Sequence, residues 1–253
     1  MGISRSSLYG ESIFTSFRSL DGKVPKFESH LNRFFESVNS YYFNSRLSES
    51  QFYNFYPLEN LDFIRFPNHY FRLTFESLKP ASNRCGIGLC DGKLKIQQGE
   101  LPKSLESISL ESIRSPYTIF AWKHKAGSYF ESLLGKKQAI LKGAQDALFV
   151  SPEQKILEIS TSRIVFRRGN LFVTPRLAYS FNSIGLELFR EFLMSLGFEL
   201  YEQELDFSEL ADFESAFAVN SVKLLTPVRS IESREFKTQN QLCLEFEKWL
   251  REL

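Results

Sequence analysis

Trp122-Lys123-His124-Lys125-Ala126-Gly127-Ser128-Tyr129 is the stretch whose reading decides the fold. A lysine amine in a dry pocket loses its proton readily, because desolvation disfavours the ammonium, and the free amine can then condense with a carbonyl. A lone lysine is ordinarily a solvated surface cation. Lys125 is read differently because of its company: Glu158 and the Ser-rich run Glu158-Ile159-Ser160-Thr161-Ser162-Arg163 follow it at a spacing that suits a bound aldehyde.

Further motifs lie outward from it in both directions. They are Tyr9-Gly10-Glu11-Ser12-Ile13-Phe14, His30-Leu31-Asn32-Arg33-Phe34, Tyr70-Phe71-Arg72-Leu73, Thr174-Pro175, and Asn220-Ser221 followed by Thr226-Pro227-Val228. In this order, and over nearly the whole chain, they resemble the fold-type IV enzymes of pyridoxal 5'-phosphate (PLP), the class IV aminotransferase family. The resemblance implies an α+β (α/β) architecture of the D-amino-acid aminotransferase type, with two domains and the active site between them. Residues 1–116 are expected to form a small N-terminal α/β domain, and residues 117–253 a large C-terminal one that carries the Schiff-base lysine. The link is placed near Pro116.

PLP asks three things of a protein: a lysine for its aldehyde, an acid for its ring nitrogen and donors for its phosphate. By resemblance, Lys125 is the catalytic lysine and Glu158 the carboxylate at the ring nitrogen. Arg33 matches the arginine that grips the phosphate, a charge-assisted contact suited to a planar guanidinium. Ile184 and Gly185 open the helix whose backbone N–H groups face the phosphate, where the helix dipole favours an anion. The family usually has Gly-Ile-Thr and then Arg at this point, whereas this chain has Ser183-Ile184-Gly185 and then Leu186. Ser221 matches a second hydroxyl on the phosphate. Tyr129 resembles the tyrosine that bonds the phenolic oxygen of the ring, and Tyr70, Arg72 and Phe14 are expected to bind the substrate, with Tyr70 and Arg72 on its carboxylate.

Composition narrows the alternatives. A formal net charge of +1 over 253 residues offers no global attraction for nucleic acid. Three cysteines, Cys85, Cys90 and Cys243, suggest neither a disulfide scaffold nor a zinc site, and no metal site is read. No apolar run is long enough to span a membrane and no apolar signal core opens the chain, so a cytoplasmic protein is expected. Gly86-Ile87-Gly88 lacks the third glycine of a dinucleotide fingerprint and reads as a turn. His30 reads as a helix-packing residue. The 26 phenylalanines are taken as compositional bias.

Periodicity sketches the elements. Residues 12–17, 70–75, 147–150, 156–166, 170–175, 199–205 and 217–219 read as strands. Helices are expected from residue 27 to 38, 128 to 145, 183 to 196 and 239 to 253. The stretch from Leu94 to Pro116 reads as a punctuated polar connection.

Two reactions suit the resemblance. Phe14-Thr15-Ser16 resembles the Phe-Thr-Thr of bacterial aminodeoxychorismate lyases, which eliminate pyruvate from 4-amino-4-deoxychorismate to give 4-aminobenzoate, a step of folate biosynthesis. Tyr70, Arg72 and Tyr129 resemble the amino-acid aminotransferases, branched-chain or D-specific, that use 2-oxoglutarate. The lyase is the preferred expectation and the aminotransferase the alternative, with a non-catalytic member as a remote third. Either enzyme takes a small amino substrate bearing a carboxylate, and the family implies a homodimer.

Overall fold

The computed structural model describes residues 6–7, 10–59, 61–78, 92–115, 124–177 and 182–253. They fall into two compact units, residues 1–101 with 122–129 and residues 102–121 with 130–253. This division differs from a single cut near Pro116, which lies outside the described residues. Residues 108–114 form a strand of the second unit's sheet, whereas Ala126 bridges Ile13 and ties the Lys125 segment to the first unit.

In the first unit, β1 (Ser12–Arg18), β2 (Tyr70–Ser77) and β3 (Gly92–Gly99) form an antiparallel sheet in that order. Side chains alternate across a strand, so Ile13, Phe17, Phe71, Leu73 and Phe75 share one face. That face is buried against Phe34, Val38, Tyr42 and Phe43 of α1 (Phe27–Phe43) and Phe52 of α2 (Glu49–Phe55). Phenylalanine thus builds the core here, through edge-on contacts such as Phe63 against Phe71 at 5.0 Å. Ser48 and Gln51 close a capping box at the start of α2.

The second unit holds nine strands among the described residues. Their order is β6 (Ile156–Ile159), β5 (Asp146–Val150), β4 (Ile108–Arg114), β11 (Leu224–Ile231), β10 (Ser215–Asn220), β7 (Arg163–Arg168), β8 (Leu171–Pro175), β9 (Glu199–Gln203), with β12 (Arg234–Glu235) on β11. The β4–β5, β4–β11 and β8–β9 pairs are parallel and the rest antiparallel. Leu148, Ile164, Phe166, Ala216, Ala218 and Val228 bury against Leu205, Leu210 and Phe213. Phe172 and Phe217 meet Phe189 of α4 (Ile184–Ser195), which in turn meets Phe246 of α5 (Asn240–Glu252). Along α3 (Phe130–Leu141), a Cβ on Gly135 would stand 2.5 Å from the Phe149 ring, so only glycine lets the helix approach β5 this closely.

Strands β3 and β4 lie within the stretch expected to be a polar connection. Lys93-Leu94-Lys95-Ile96 and Ile108-Ser109-Leu110 alternate as strands do, and Gly99 and Pro102 merely end one and precede the other. The expected single strand from 156 to 166 is two, β6 and β7, reversed at Ser160-Thr161 where Ile159 and Ser162 exchange both backbone bonds. No helix among the described residues is long and apolar enough to cross a membrane.

Candidate active site

Phe14 centres a cluster of candidate residues in the first unit. The β1–β2 register sets Ser16 opposite Arg72 and Phe14 opposite Thr74. Ser12, Phe14, Ser16 and Arg18 therefore share with Tyr70, Arg72, Thr74 and Glu76 the sheet face turned away from the helices. The Arg72 guanidinium carbon stands 3.7 Å from the Phe14 ring centroid, and Arg72 Nε donates to Thr74 Oγ1 at 3.1 Å. Lys125 Nζ lies 4.7 Å from the same ring and donates to Tyr129 Oη at 2.8 Å. Tyr129 meets Phe14 edge-on at 5.4 Å. Four expected residues, Phe14, Arg72, Lys125 and Tyr129, are thus brought together, and Tyr70 stands on the same face with its hydroxyl 3.4 Å from Ser16 Oγ.

Lys125 is held by backbone as well. Phe14 N donates to Lys125 O at 2.9 Å and Gly127 N to Ser12 O at 2.7 Å. A Cβ on Gly127 would lie 2.0 Å from Ser12 Oγ and 3.1 Å from Gly10 O, so a side chain there would make Ser12 turn away for the segment to run beside β1. Tyr9 and Lys123 lie outside the described residues.

On the other face of β1, Arg33 Nη2 donates to Thr15 Oγ1 at 2.9 Å, and Thr15 Oγ1 is 3.0 Å from His30 Nδ1. Thr15 and His30 are both buried. Burial, with the positive charges of Arg33 and Lys125, holds the His30 pKa well below the ordinary imidazole value.

The second unit carries the other expected residues. Glu158 is half-buried near the end of β6. Its hairpin is braced by Ser160, whose hydroxyl donates to the buried Asp146 carboxylate, and Asp146 also pairs with Lys136 at 2.8 Å. Arg163 across the hairpin donates to Pro175 O at 2.8 Å. Burial lowers the Arg163 pKa, while the charges of Glu158 and Glu202 raise it and that of Arg190 lowers it.

Ser183 caps α4 by accepting from Leu186 N at 3.3 Å. The first-turn N–H groups of a helix have no carbonyl of their own to bond, and Ile184 and Gly185 supply two of them. A Cβ on Gly185 would stand 2.7 Å from Asn220 C and 2.9 Å from Ser221 N. The absence of a side chain at 185 therefore lets the helix start press against the Asn220-Ser221 turn. Asn220 holds that turn: its Oδ1 accepts from Val222 N at 2.9 Å and Lys223 N at 2.7 Å, and its Nδ2 donates to Ser162 Oγ at 2.8 Å.

This inventory fits PLP. A lysine, a half-buried carboxylate, an arginine fixed by a hydrogen bond and a glycine-made cradle of backbone donors are the groups its aldehyde, ring nitrogen and phosphate require. Sequence reasoning passed over Thr15, Ser16 and Asn220 as site residues. Alternation from Phe14 sets Ser16 on the same face, whereas the Asn220 bonds depend on where the fold brings Val222, Lys223 and Ser162.

A family model described as amino-transferase class IV matches residues 12–231. A branched-chain-amino-acid aminotransferase of Pseudomonas aeruginosa is 27% identical over 109 residues, 43% of this chain and 36% of that relative. The alignment thus spans about a third of that protein. A Methanocaldococcus jannaschii relative, also assigned as a branched-chain aminotransferase, is 23% identical over 97% of this chain and 86% of its own length. A crystal structure from Legionella pneumophila, provisionally named 4-amino-4-deoxychorismate lyase, superposes with a TM-score of 0.82 at 18% identity, covering 100% of this chain and 94% of that one. The branched-chain aminotransferase of Thermoproteus uzoniensis gives 0.80 at 21%, covering 98% and 87%. The mixed α/β fold is therefore that of the fold-type IV enzymes, and the chain belongs to the class IV aminotransferases, a PLP-dependent family.

Proposed function

We propose that this protein is a PLP-dependent lyase acting on 4-amino-4-deoxychorismate or a close relative, an amino compound with carboxylates. When bound, PLP supplies an aldehyde to the substrate amine and a ring that draws electrons from the bond being broken. Lys125 takes the proton from the carbon bearing that amine, and Tyr129, 2.8 Å away, orients Nζ. As the ether C–O bond breaks, the same lysine returns a proton to the departing enolpyruvate, which leaves as pyruvate and leaves 4-aminobenzoate behind. Glu158 offers its carboxylate to the ring nitrogen. Arg33, the α4 start and Ser221 take the phosphate, and Arg72 with Tyr70 takes a substrate carboxylate.

The observation that carries the lyase reading is Phe14-Thr15-Ser16, in which a hydroxyl rather than a carboxylate follows Phe14 and bonds Arg33. Amino-acid transamination is the second reading. The Lys125–Tyr129 bond and the relatives' assignments favour it. A homodimer is also proposed, because α3 exposes Phe130, Leu133, Leu134, Ile140 and Leu141, an apolar row that a second copy would cover. The free Cys243 thiol suits a reducing, cytoplasmic setting.

The test is direct. Purified protein with PLP is reduced with borohydride and the modified lysine mapped, with Lys125 expected. It is then given 4-amino-4-deoxychorismate, and separately an amino acid with 2-oxoglutarate. Release of 4-aminobenzoate supports the lyase, amino transfer alone replaces it with the second reading, and neither activity sinks both.

A further inference from the structure

We propose that Thr15 and His30 are positioning residues for a bound phosphate: the Thr15 hydroxyl accepts a hydrogen bond from one N–H of Arg33 and donates its own to His30, so fixing the plane in which the guanidinium presents itself. The inference rests on the reading of Arg33 as the phosphate arginine and adds two residues to it.

The pair is out of place in its surroundings. Thr15 projects between Ile13 and Phe17 into the helix-facing side of β1, and the His30 ring packs on Phe17 at 5.1 Å. Both side chains are essentially without solvent, at 0% and 1% exposure. Polar groups in an aromatic core are costly unless bonded to one another. Valine at 15 and phenylalanine at 30 would satisfy the packing alone, so the polar pair points to a task beyond the core.

The direction of each bond follows from donor and acceptor count. A guanidinium has donors only, so at 2.9 Å Thr15 Oγ1 accepts from Arg33. A hydroxyl has one proton, and the one acceptor within reach of Thr15 Oγ1 among the described residues is His30 Nδ1, at 3.0 Å. That requires an imidazole with a bare Nδ1. A dry ring near the cations of Arg33 and Lys125 is held in that uncharged form. The chain therefore runs one way, from Arg33 to Thr15 to His30. A guanidinium tied at one nitrogen keeps its plane before the anion arrives, which lowers the cost of binding a phosphate.

PLP and pyridoxal differ only by the phosphate, so the ratio of their affinities reads the phosphate contacts and is unmoved by a general loosening of the fold. The full-length protein is titrated with each, following the bound chromophore. Thr15→Val should weaken PLP about tenfold, the loss of one charge-assisted contact, and shift pyridoxal less than about twofold. Thr15→Ser, which restores the hydroxyl, should return PLP affinity to near the wild-type value. Equal weakening of both ligands, or of neither, overturns the proposal. If Thr15→Val does not fold, His30→Phe puts the same question from the other end of the chain, with the same selective loss expected and the same equal loss fatal. Arg33→Gln separates the two levels of argument. Should it leave PLP affinity unchanged, the Arg33 reading itself fails; should it weaken PLP selectively while Thr15→Val does not, only the positioning of Arg33 by Thr15 and His30 is lost.

Discussion

The two units differ in how their candidate residues are presented. The first offers side chains: Lys125, Arg72, Tyr129 and Phe14 meet on one sheet face through cation–π and hydrogen-bond contacts. The second adds backbone to the Glu158 carboxylate and the Ser221 hydroxyl, with the α4 start pressed against the Asn220-Ser221 turn by the missing Cβ of Gly185 and the turn stitched by Asn220. A site made of side chains is sensitive to which group is present. A site made of main chain is sensitive to space, and its residues can change identity while the shape persists. The departure from Gly-Ile-Thr to Ser183-Ile184-Gly185 belongs to that second kind, because here a glycine takes the close approach.

The contrast can be broken most forcefully at Lys125. Lys125→Ala should cut turnover by about a thousandfold or more, since no other group replaces an amine that both reacts and moves a proton. Turnover within tenfold of wild type would remove Lys125 from the chemistry. On the same face, Arg72→Ala should lower kcat/KM by about ten- to a hundredfold, from roughly 1.5–3 kcal/mol for a charge-assisted bond, with PLP content unchanged. Loss of PLP in step with activity would assign Arg72 to the cofactor or the fold instead.

In the second unit the expected effect is steric and smaller. Gly185→Ala forces a methyl to within 3 Å of main chain and should cost about 1–3 kcal/mol of stability in thermal unfolding while weakening PLP. Ser221→Ala should weaken PLP without that loss of stability. If both variants behaved alike, the division between side-chain and main-chain sites would not hold.

His30 gives the mildest prediction. Its folded pKa lies below its unfolded value of about 6.5, so the unfolded chain takes up the proton first. Its contribution is therefore fully present above about pH 6.5 and is lost as the pH falls below that value. The thermal midpoint should drop on acidification through this range, and His30→Phe should flatten the drop. An unchanged slope in that variant would assign the acid sensitivity to other groups.

Much of the first unit's face was legible in sequence because side-chain chemistry is written in residue type. Lys125, Tyr129, Phe14, Tyr70 and Arg72, each picked out by residue type, stand close together. Thr15 was harder: that it faces the helices rather than Arg72 follows only from register, since a one-residue shift on a strand exchanges the two faces. The Ser160-Thr161 reversal was hidden because neither residue belongs to the Asn-Gly or Gly-X pairs that announce a two-residue hairpin. Strand β4 was obscured by distance. Its partners β5 and β11 lie far along the chain, so nothing local to Ile108–Arg114 reports that it pairs with both. Asn220 was visible as a letter, yet its role depends on where Val222, Lys223 and Ser162 end up.

The strapping of residues 124–129 onto β1 also sets a timescale. With Phe14 N on Lys125 O and Gly127 N on Ser12 O, Lys125 is carried by the edge of a sheet and not by a free loop. Amides bonded in this way exchange with solvent deuterium only when the sheet edge itself opens. The amides of Phe14 and Gly127 should therefore exchange together, and a protease should cleave beside Lys125 no faster than β1 lets go.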